Sequence, residues 1–429
     1  MDFKPVLFAV GALLTILAAA MLLPAAVDLA YGSSPAAFLM SSIITFFFGV
    51  SLLILNKQPS IDLNLRQAFL LTNLIWFAIA VCSALPFLLS NLDLTAGEAF
   101  FEAMSGITTT GSTILTGLDT MPKGLLFWRG LLQWLGGVGI VVIAMSVLPM
   151  LQIGGMQLFR AEGFEQSDKA LPRATEIASS VIAIYALFTL GGFLAYSSAG
   201  MDEFDAIVHA MTSIATGGFS NHDASMGFFN QGYIPWITVV LMILGSLPFM
   251  LYLSLVRDGS KGLSLDSQSR WFLIILAGLI LAMALWLMNQ HGDDFYSAIR
   301  LSAFNVTSIM TGTGYATDDY SAWGPLPNSF FFMIMFLGGC AGSTTCGLKI
   351  FRVQVLFASA HLQLRQLLEP RGVFVSSYDG QKISPALIQS VTGFFFLFLF
   401  SFAILAVALS ATGLDFITAV SAAATAICN

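Results

Sequence analysis

Apolar residues in this chain do not alternate with polar ones; they run. Stretches at 5–29, 36–55, 67–90, 124–150, 174–198, 233–256, 271–290, 327–350 and 384–411 each carry about twenty residues or more with few charges, the length of helix that crosses a hydrocarbon core. Lipid offers backbone groups no water, so they must pair within the segment. Runs of this length without a period of two select helices over a β-barrel. Between them lie four more polar stretches, 95–123, 200–230, 292–325 and 413–429. Each opens on acidic or hydroxyl residues, continues as a short helical run and ends in Thr, Gly, Ser or Asn. They are too polar to span and are predicted to dip into the membrane and return.

The first run needs one distinction. Lys4, the apolar stretch to Leu23 and then Pro24-Ala25-Ala26 mimic a secretory signal. The run is long for such a signal and a second follows at 36–55, so residues 1–60 are predicted to form a membrane hairpin.

Composition agrees with the pattern. Of 429 residues, 57% are hydrophobic and 10% charged, against about 25% charged in a soluble domain; the mean hydropathy is +0.85. A net charge of −7 without a basic stripe excludes nucleic-acid binding. The cysteines (Cys82, Cys340, Cys346, Cys428) form no CxxC pair, and His209, His222, His291 and His361 are scattered. Metal ligation is not expected, nor an organic cofactor. No HExxH, GxSxG or acid pair lies within a span, so no enzyme is expected.

Charge bias orients the spans. With a cytoplasmic N-terminus and the four polar stretches outside, every one of the 17 Lys and Arg residues except Lys123, Arg129 and Arg300 falls inside, as the positive-inside rule requires. Most acids fall outside, where they would concentrate cations.

The four polar stretches align with one another. Glu102-Ala-Met-Ser-Gly-Ile leads into Thr108-Thr109-Thr110-Gly111; His209-Ala-Met-Thr-Ser-Ile into Ala215-Thr216-Gly217-Gly218; Asn305-Val-Thr-Ser-Ile-Met into Thr311-Gly312-Thr313-Gly314; Ala422-Ala-Ala-Thr-Ala-Ile into Cys428-Asn429, where the sequence stops. Leu135-Gly136-Gly137, Leu244-Gly245-Ser246 and Leu337-Gly338-Gly339 recur at similar distances downstream of the first three. The unit is span, re-entrant helix, Thr/Gly segment, span. It divides the chain after the hairpin into 61–160, 161–262, 263–375 and an incomplete 376–429. The predicted fold is an all-α polytopic membrane protein with four pseudo-symmetric repeats around a central pore.

Irregular backbone at membrane depth is tolerated where it lines a water-filled path. Glycine allows the positive φ that turns successive carbonyls one way, and rings of carbonyl oxygen can replace a cation's hydration shell. Four helices aiming their C-terminal, partially negative ends inward would add to that field. No Asp or Glu lies in the Thr/Gly segments, which argues for a monovalent ion over a divalent one. Gly136, Gly137 and Gly245 also suit simple close packing of helices.

These residues carry a resemblance. Thr108-Thr-Thr-Gly-Ser-Thr113, Thr216-Gly-Gly-Phe-Ser220, Thr311-Gly-Thr-Gly-Tyr-Ala-Thr317, Leu135-Gly-Gly-Val-Gly139 and Gly338-Gly-Cys-Ala-Gly-Ser-Thr-Thr-Cys-Gly-Leu-Lys349 resemble the TrkH subunits of bacterial Trk potassium uptake systems, in the Trk/Ktr/HKT superfamily, essentially end to end. The resemblance implies a selectivity filter at Thr108 to Gly111, Ala215 to Gly218, Thr311 to Gly314, Cys428 and Asn429, with potassium contacts from Thr109, Thr110, Thr216, Gly217, Gly312, Thr313 and Asn429. It also implies a fourth filter glycine and a last inner span beyond Asn429, so the sequence reads as truncated within the fourth repeat.

The third inner span holds Gly338, Gly339, Ala341, Gly342, Ser343, Thr344, Thr345, Gly347 and Lys349. Each glycine costs a helix interior about 1 kcal/mol, so the span should break there. The resemblance makes the break an intramembrane gating loop, with Lys349 at its inner end. A phosphate-loop reading fails because the Gly-Lys pair and the preceding strand are missing. Arg129 is placed either to pair with Glu102 or to anchor an aromatic belt beside Trp128 and Trp134. The loops 151–173, 257–270 and 353–382 are read as cytoplasmic. The resemblance further implies a homodimer in the bacterial inner membrane and a cytoplasmic TrkA-like partner, with nucleotide bound only on that partner. Proton- or sodium-coupled potassium symport and a sodium-permeable pore are the alternatives.

Overall fold

In the computed structural model of the chain, the described residues are 3–57, 64–146, 170–229, 232–259, 266–290, 292, 294–372, 374, 377–378 and 381–428. Asn429, His291 and the loop 151–169 lie outside them. Among the described residues the regular structure is helical, apart from a two-residue hairpin pairing Ser377–Tyr378 with Gln381–Lys382. Among the described residues, seven helices are long and apolar enough to cross a bilayer, and an eighth if one bent pair counts as a span.

The N-terminal hairpin is Lys4–Ala20, offset at Met21 into Leu22–Ala30, followed by Ala36–Leu55. Its arms meet closely because both carry glycine. A Cβ on Gly11 would fall 2.8 Å from the Gly49 carbonyl oxygen. The Ser42 hydroxyl donates to the Ala18 carbonyl at 2.7 Å.

The four polar stretches each contain one short helix: Ala96–Ile107, Glu203–Ile214, Phe295–Met310 and Phe416–Cys428. Their opening residues cap them. Thr95 makes a capping box with Glu98, Asp202 and Asp294 accept from first-turn N–H groups, and Asp415 accepts from Thr418 N at 3.1 Å. A side-chain oxygen thus satisfies N–H groups that lipid could not, which is why each stretch opens on those residue types.

The first three short helices sit inside, whereas Phe416–Cys428 is largely exposed, with only Ala419, Ala423, Ala424 and Cys428 buried. In Glu203–Ile214 all but two residues are buried. By contrast only 11% of the apolar window in Pro385–Ser410 is buried, with Phe396, Leu397, Phe400 and Val407 facing outward. In a membrane, that exposed apolar face is the lipid contact.

Two of the apolar runs are broken helices, 233–256 against expectation and 327–350 as its glycines predict. The run 233–256 forms Ile234–Ser246 and Phe249–Asp258, bent by 89°. Pro248 lacks the N–H that would continue the first helix. The run 327–350 forms Pro325–Ile334, an irregular stretch, and then Ile350–Leu368. That last helix corrects the reading of 353–382 as a loop. Ile350, Phe351, Gln354, Val355 and Ser359 are buried along one side of it, a helical period that a count of charges conceals.

Candidate functional site: three matching turns and a broken helix

Three of the short helices end in the same way. Thr110 N donates to Ser105 O, Gly217 N to Thr212 O and Thr313 N to Ser308 O, each at 2.9 Å. The residue before each donor is left-handed: Thr109 at φ 61°, Thr216 at 51° and Gly312 at 73°. This is the Schellman ending, in which a left-handed residue satisfies the last helical carbonyls. Left-handed threonine is uncommon and strained, and here it occurs twice at equivalent places. Two residues on, Gly111, Gly218 and Gly314 are left-handed again, at 78°, 77° and 79°.

These segments lie against one another. A Cβ on Gly111 would strike the Gly217 carbonyl oxygen, and one on Gly218 would strike that of Thr313. The first, third and fourth line a cavity of about 310 Å³ through Thr110, Gly111, Gly312, Gly314 and Cys428, joined by Cys346 from the broken helix. Thr108 and Thr110 share a hydroxyl contact of 2.7 Å, and Thr311 and Thr313 another of 2.7 Å.

The downstream glycines have a packing reason. A Cβ on Gly136 would collide with the Ile107 carbonyl, and one on Gly245 would come within 2.6 Å of the Ile214 carbonyl. Each inner span therefore touches the last turn of the short helix before it. Gly338, at the third such position, packs instead against Cys346 of its own loop.

Residues between Ile334 and Ile350 fold into a compact loop. Gly342 and Gly347 are left-handed, both at φ 76°. Gly338 N donates to Leu348 O at 2.9 Å, Cys340 N to Ser246 O at 3.0 Å, and Ala341 N to the buried Gln268 side chain at 3.0 Å. Ser343 and Thr345 hydroxyls meet at 2.8 Å, and Thr345 Oγ1 accepts from Gly339 N at 3.1 Å. Thr344 Oγ1 donates among Ile214 O and Gly245 O at 3.1 and 2.9 Å and lies 3.2 Å from Thr216 Oγ1. Cys346 Sγ is 3.9 Å from Thr109 Oγ1, Gly347 N donates to Cys428 O, and Lys349 Nζ turns back to donate to the Thr345 carbonyl. Lys349 is thus tied to the loop. The loop touches the first, second and fourth segments at once.

The outer returns are pinned by residues that sequence reasoning did not recognise as a set. Glu102 accepts from Thr113 Oγ1 at 2.9 Å, His209 Nε2 lies 3.0 Å from Ser220 Oγ, and Asn305 donates to Thr317 Oγ1 at 3.1 Å. These are the aligned positions that open the repeat, so the alignment itself held the signal. Arg129 does pair with Glu102, Nε to Oε1 at 2.8 Å. Its other nitrogens donate to Ser220 O at 2.8 Å and Thr113 Oγ1 at 3.1 Å, joining the first return to the second. Farther out, His222 bridges Asp119 at 2.5 Å and Asp205 at 3.0 Å. Burial alone would lower the His222 pKa, but those two hydrogen bonds outweigh it and raise it.

Comparison with known proteins places this architecture. A family model described as TrkH, cation transport protein, matches residues 34–429. The Trk system potassium uptake protein TrkI of Halomonas elongata is 43% identical, over 94% of this chain and 80% of its own. The TrkH protein of Escherichia coli is 36% identical over 97% of this chain and 87% of its own. The crystal structure of the potassium transporter TrkH from Vibrio parahaemolyticus superposes with a TM-score of 0.92 at 35% identity, over 99% of this chain and 89% of that one. With the match running almost the whole length, the chain belongs to the TrkH family of cation transport proteins.

Proposed function

We propose that this chain carries potassium into the cell across the bacterial inner membrane, through a pore whose selectivity filter is the set of Thr/Gly segments. The observation that carries this reading is that three segments far apart in sequence end their helices in the same alternating left-handed geometry and pack edge to edge, the first and third lining one cavity with Cys428 of the fourth. Such backbone exposes carbonyl oxygens at fixed spacing, the chemistry that substitutes for a cation's water. Relatives named as potassium uptake proteins favour potassium as the cargo.

The loop at 338–349 is the gate of this pore. It interrupts a span, borders the cavity through Cys346, and is held by hydrogen bonds that can break and reform. The N-terminus is cytoplasmic, as the basic residues suggest. Regulation by a TrkA-like nucleotide-binding protein and assembly as a homodimer belong to the same reading and rest on family resemblance.

Rubidium uptake into proteoliposomes, with sodium as competitor and no proton gradient, tests it. Uptake that resists sodium is expected. Gly314→Ser should lower the rubidium-to-sodium ratio, because φ at Gly314 is 79° but the space around a Cβ is open, so the change strains the segment without a clash. Uptake that requires an imposed proton gradient would favour symport. Equal permeation of sodium, unaffected by Gly314→Ser, would refute the filter.

A further inference from the structure

The second Thr/Gly segment lacks a feature that the first and third share. Those two are braced from within by paired threonine hydroxyls, Thr108 with Thr110 and Thr311 with Thr313. At the corresponding places the second segment has Ala215 and Gly217, which carry no hydroxyl. Its left-handed Thr216 is no less strained for that. Something else must hold the backbone.

The side chain that does so is Gln133, on the helix Lys123–Ser146 of the preceding repeat. Its Nε2 donates to Gly217 O at 2.6 Å, and its Oε1 accepts from Phe219 N at 3.0 Å. Gln133 is fully buried. The Phe219 N–H can only donate, so the amide orientation is set by chemistry. One end must accept and the other must donate. An ionised glutamate of the same shape could not donate to the carbonyl, and leucine could do neither. Gly217 is the complement of this arrangement: a Cβ there would lie 2.5 Å from Oε1 and 2.8 Å from Nε2. The corresponding positions in the second and third repeats are Met242 and Met335, so the device occurs once among these three.

We propose that Gln133 is a specificity-determining positioning residue, an external brace that replaces the missing Thr–Thr pair of the second filter segment. It also occupies the Gly217 oxygen, so that segment presents its oxygens to the ion unequally with its neighbours. The proposal rests on the filter reading above. A buried amide bonded at both ends is stable in this setting, whereas leaving the Gly217 carbonyl or Phe219 N–H without a partner is costly.

The test is rubidium uptake against sodium for Gln133→Leu, Gln133→Glu and a triple variant, Gln133→Ala with Ala215→Thr and Gly217→Thr. The triple variant removes the amide and writes the hydroxyl pair of the first repeat into the second; φ at Gly217 is not left-handed, and the three atoms nearest to a Cβ there all belong to Gln133. Gln133→Leu, which loses both bonds, should lower the rubidium-to-sodium ratio by about tenfold or more, and Gln133→Glu, which when ionised loses only the donor to Gly217 O, by less. The triple variant should recover most of the ratio. A folded Gln133→Leu with the wild-type ratio overturns the proposal, as does a triple variant no more selective than the single variants. Should Gln133→Leu fail to fold, Gln133→Glu and the triple variant decide. Gly314→Ser serves as the reference: if it alters the ratio while the Gln133 variants do not, the brace fails and the filter stands; if none alters it, the filter reading itself fails.

Discussion

Glu102→Gln is the most informative single change in the outer network. The carboxylate is fully buried and Arg129 is 1% exposed. Glu102 takes Arg129 Nε at 2.8 Å, Thr113 Oγ1 at 2.9 Å and Ile114 N at 3.1 Å. Glutamine keeps the volume and can still accept one or two of these bonds, but removes the charge facing Arg129. The guanidinium would keep Ser220 O, Thr113 Oγ1 and the Phe219 ring 4.1 Å away, none of them an anion. Breaking a buried pair on one side costs about 3–5 kcal/mol; the retained acceptor puts this case near the lower end. Apparent Tm and half-life at fixed temperature in detergent should both fall. The same desolvation argument requires that Glu102→Gln with Arg129→Met be less damaging than the sum of the two single changes, read from a double-mutant cycle. A loss below about 1 kcal/mol for Glu102→Gln, or simple additivity in the cycle, would refute the claim that these buried charges depend on each other.

Three further outcomes follow from the geometry. Gly218→Ala should abolish transport in protein that still inserts, since a Cβ there both meets the Thr313 carbonyl and demands φ of 77°; rubidium flux near the wild-type level would show that the second and third segments are not in contact. Thr344→Val removes the hydroxyl that holds the loop to Ile214 O and Gly245 O, and deletion of Ala341 to Thr345 removes that part of the loop. Both should raise basal flux, and an unchanged flux from folded variants would end the gate assignment. The His222 bridge to Asp119 and Asp205, with Asp223 beside it and the His209 ring 6.4 Å away, should make stability pH-dependent. Its pKa is raised, so its contribution is fully present below the ordinary value of 6.5 and is lost as pH rises through the higher folded value. Thermal melts in detergent between pH of about 5 and about 9 should show that slope in the wild type and less of it in His222→Gln.

The outline of this protein was legible because lipid makes strong local demands. Apolar length fixes where a helix can span, and the first polar residues of 95–123, 200–230 and 292–325 are the caps such helices need when water is absent. The three matching helix endings were legible at Thr109, Thr216 and Gly312, since a left-handed C-terminus leaves a recurring signature. The 89° bend after Ser246 was missed although Pro248 marks it. The helix Ile350–Leu368 was missed because Arg352, Gln354, Gln363, Arg365 and Gln366 interrupt its apolar residues and read as loop.

Other features depend on partners distant in sequence. Nothing near Gln133 says that its amide spans Gly217 and Phe219, about eighty residues on, nor that this is why position 217 holds glycine. Thr344 could be read as a loop hydroxyl, but only packing brings it to the carbonyl of Ile214. Arg129 had two local readings, and the tertiary fold chose the pairing with Glu102. The sequence by itself determined the helical membrane class, the short capped helices and the family, because chain-local forces set them. Which hydroxyl, amide or charge holds which carbonyl was decided by tertiary structure alone, because hydrogen bonds and ion pairs act over a few ångströms and the chain must fold before those groups are neighbours.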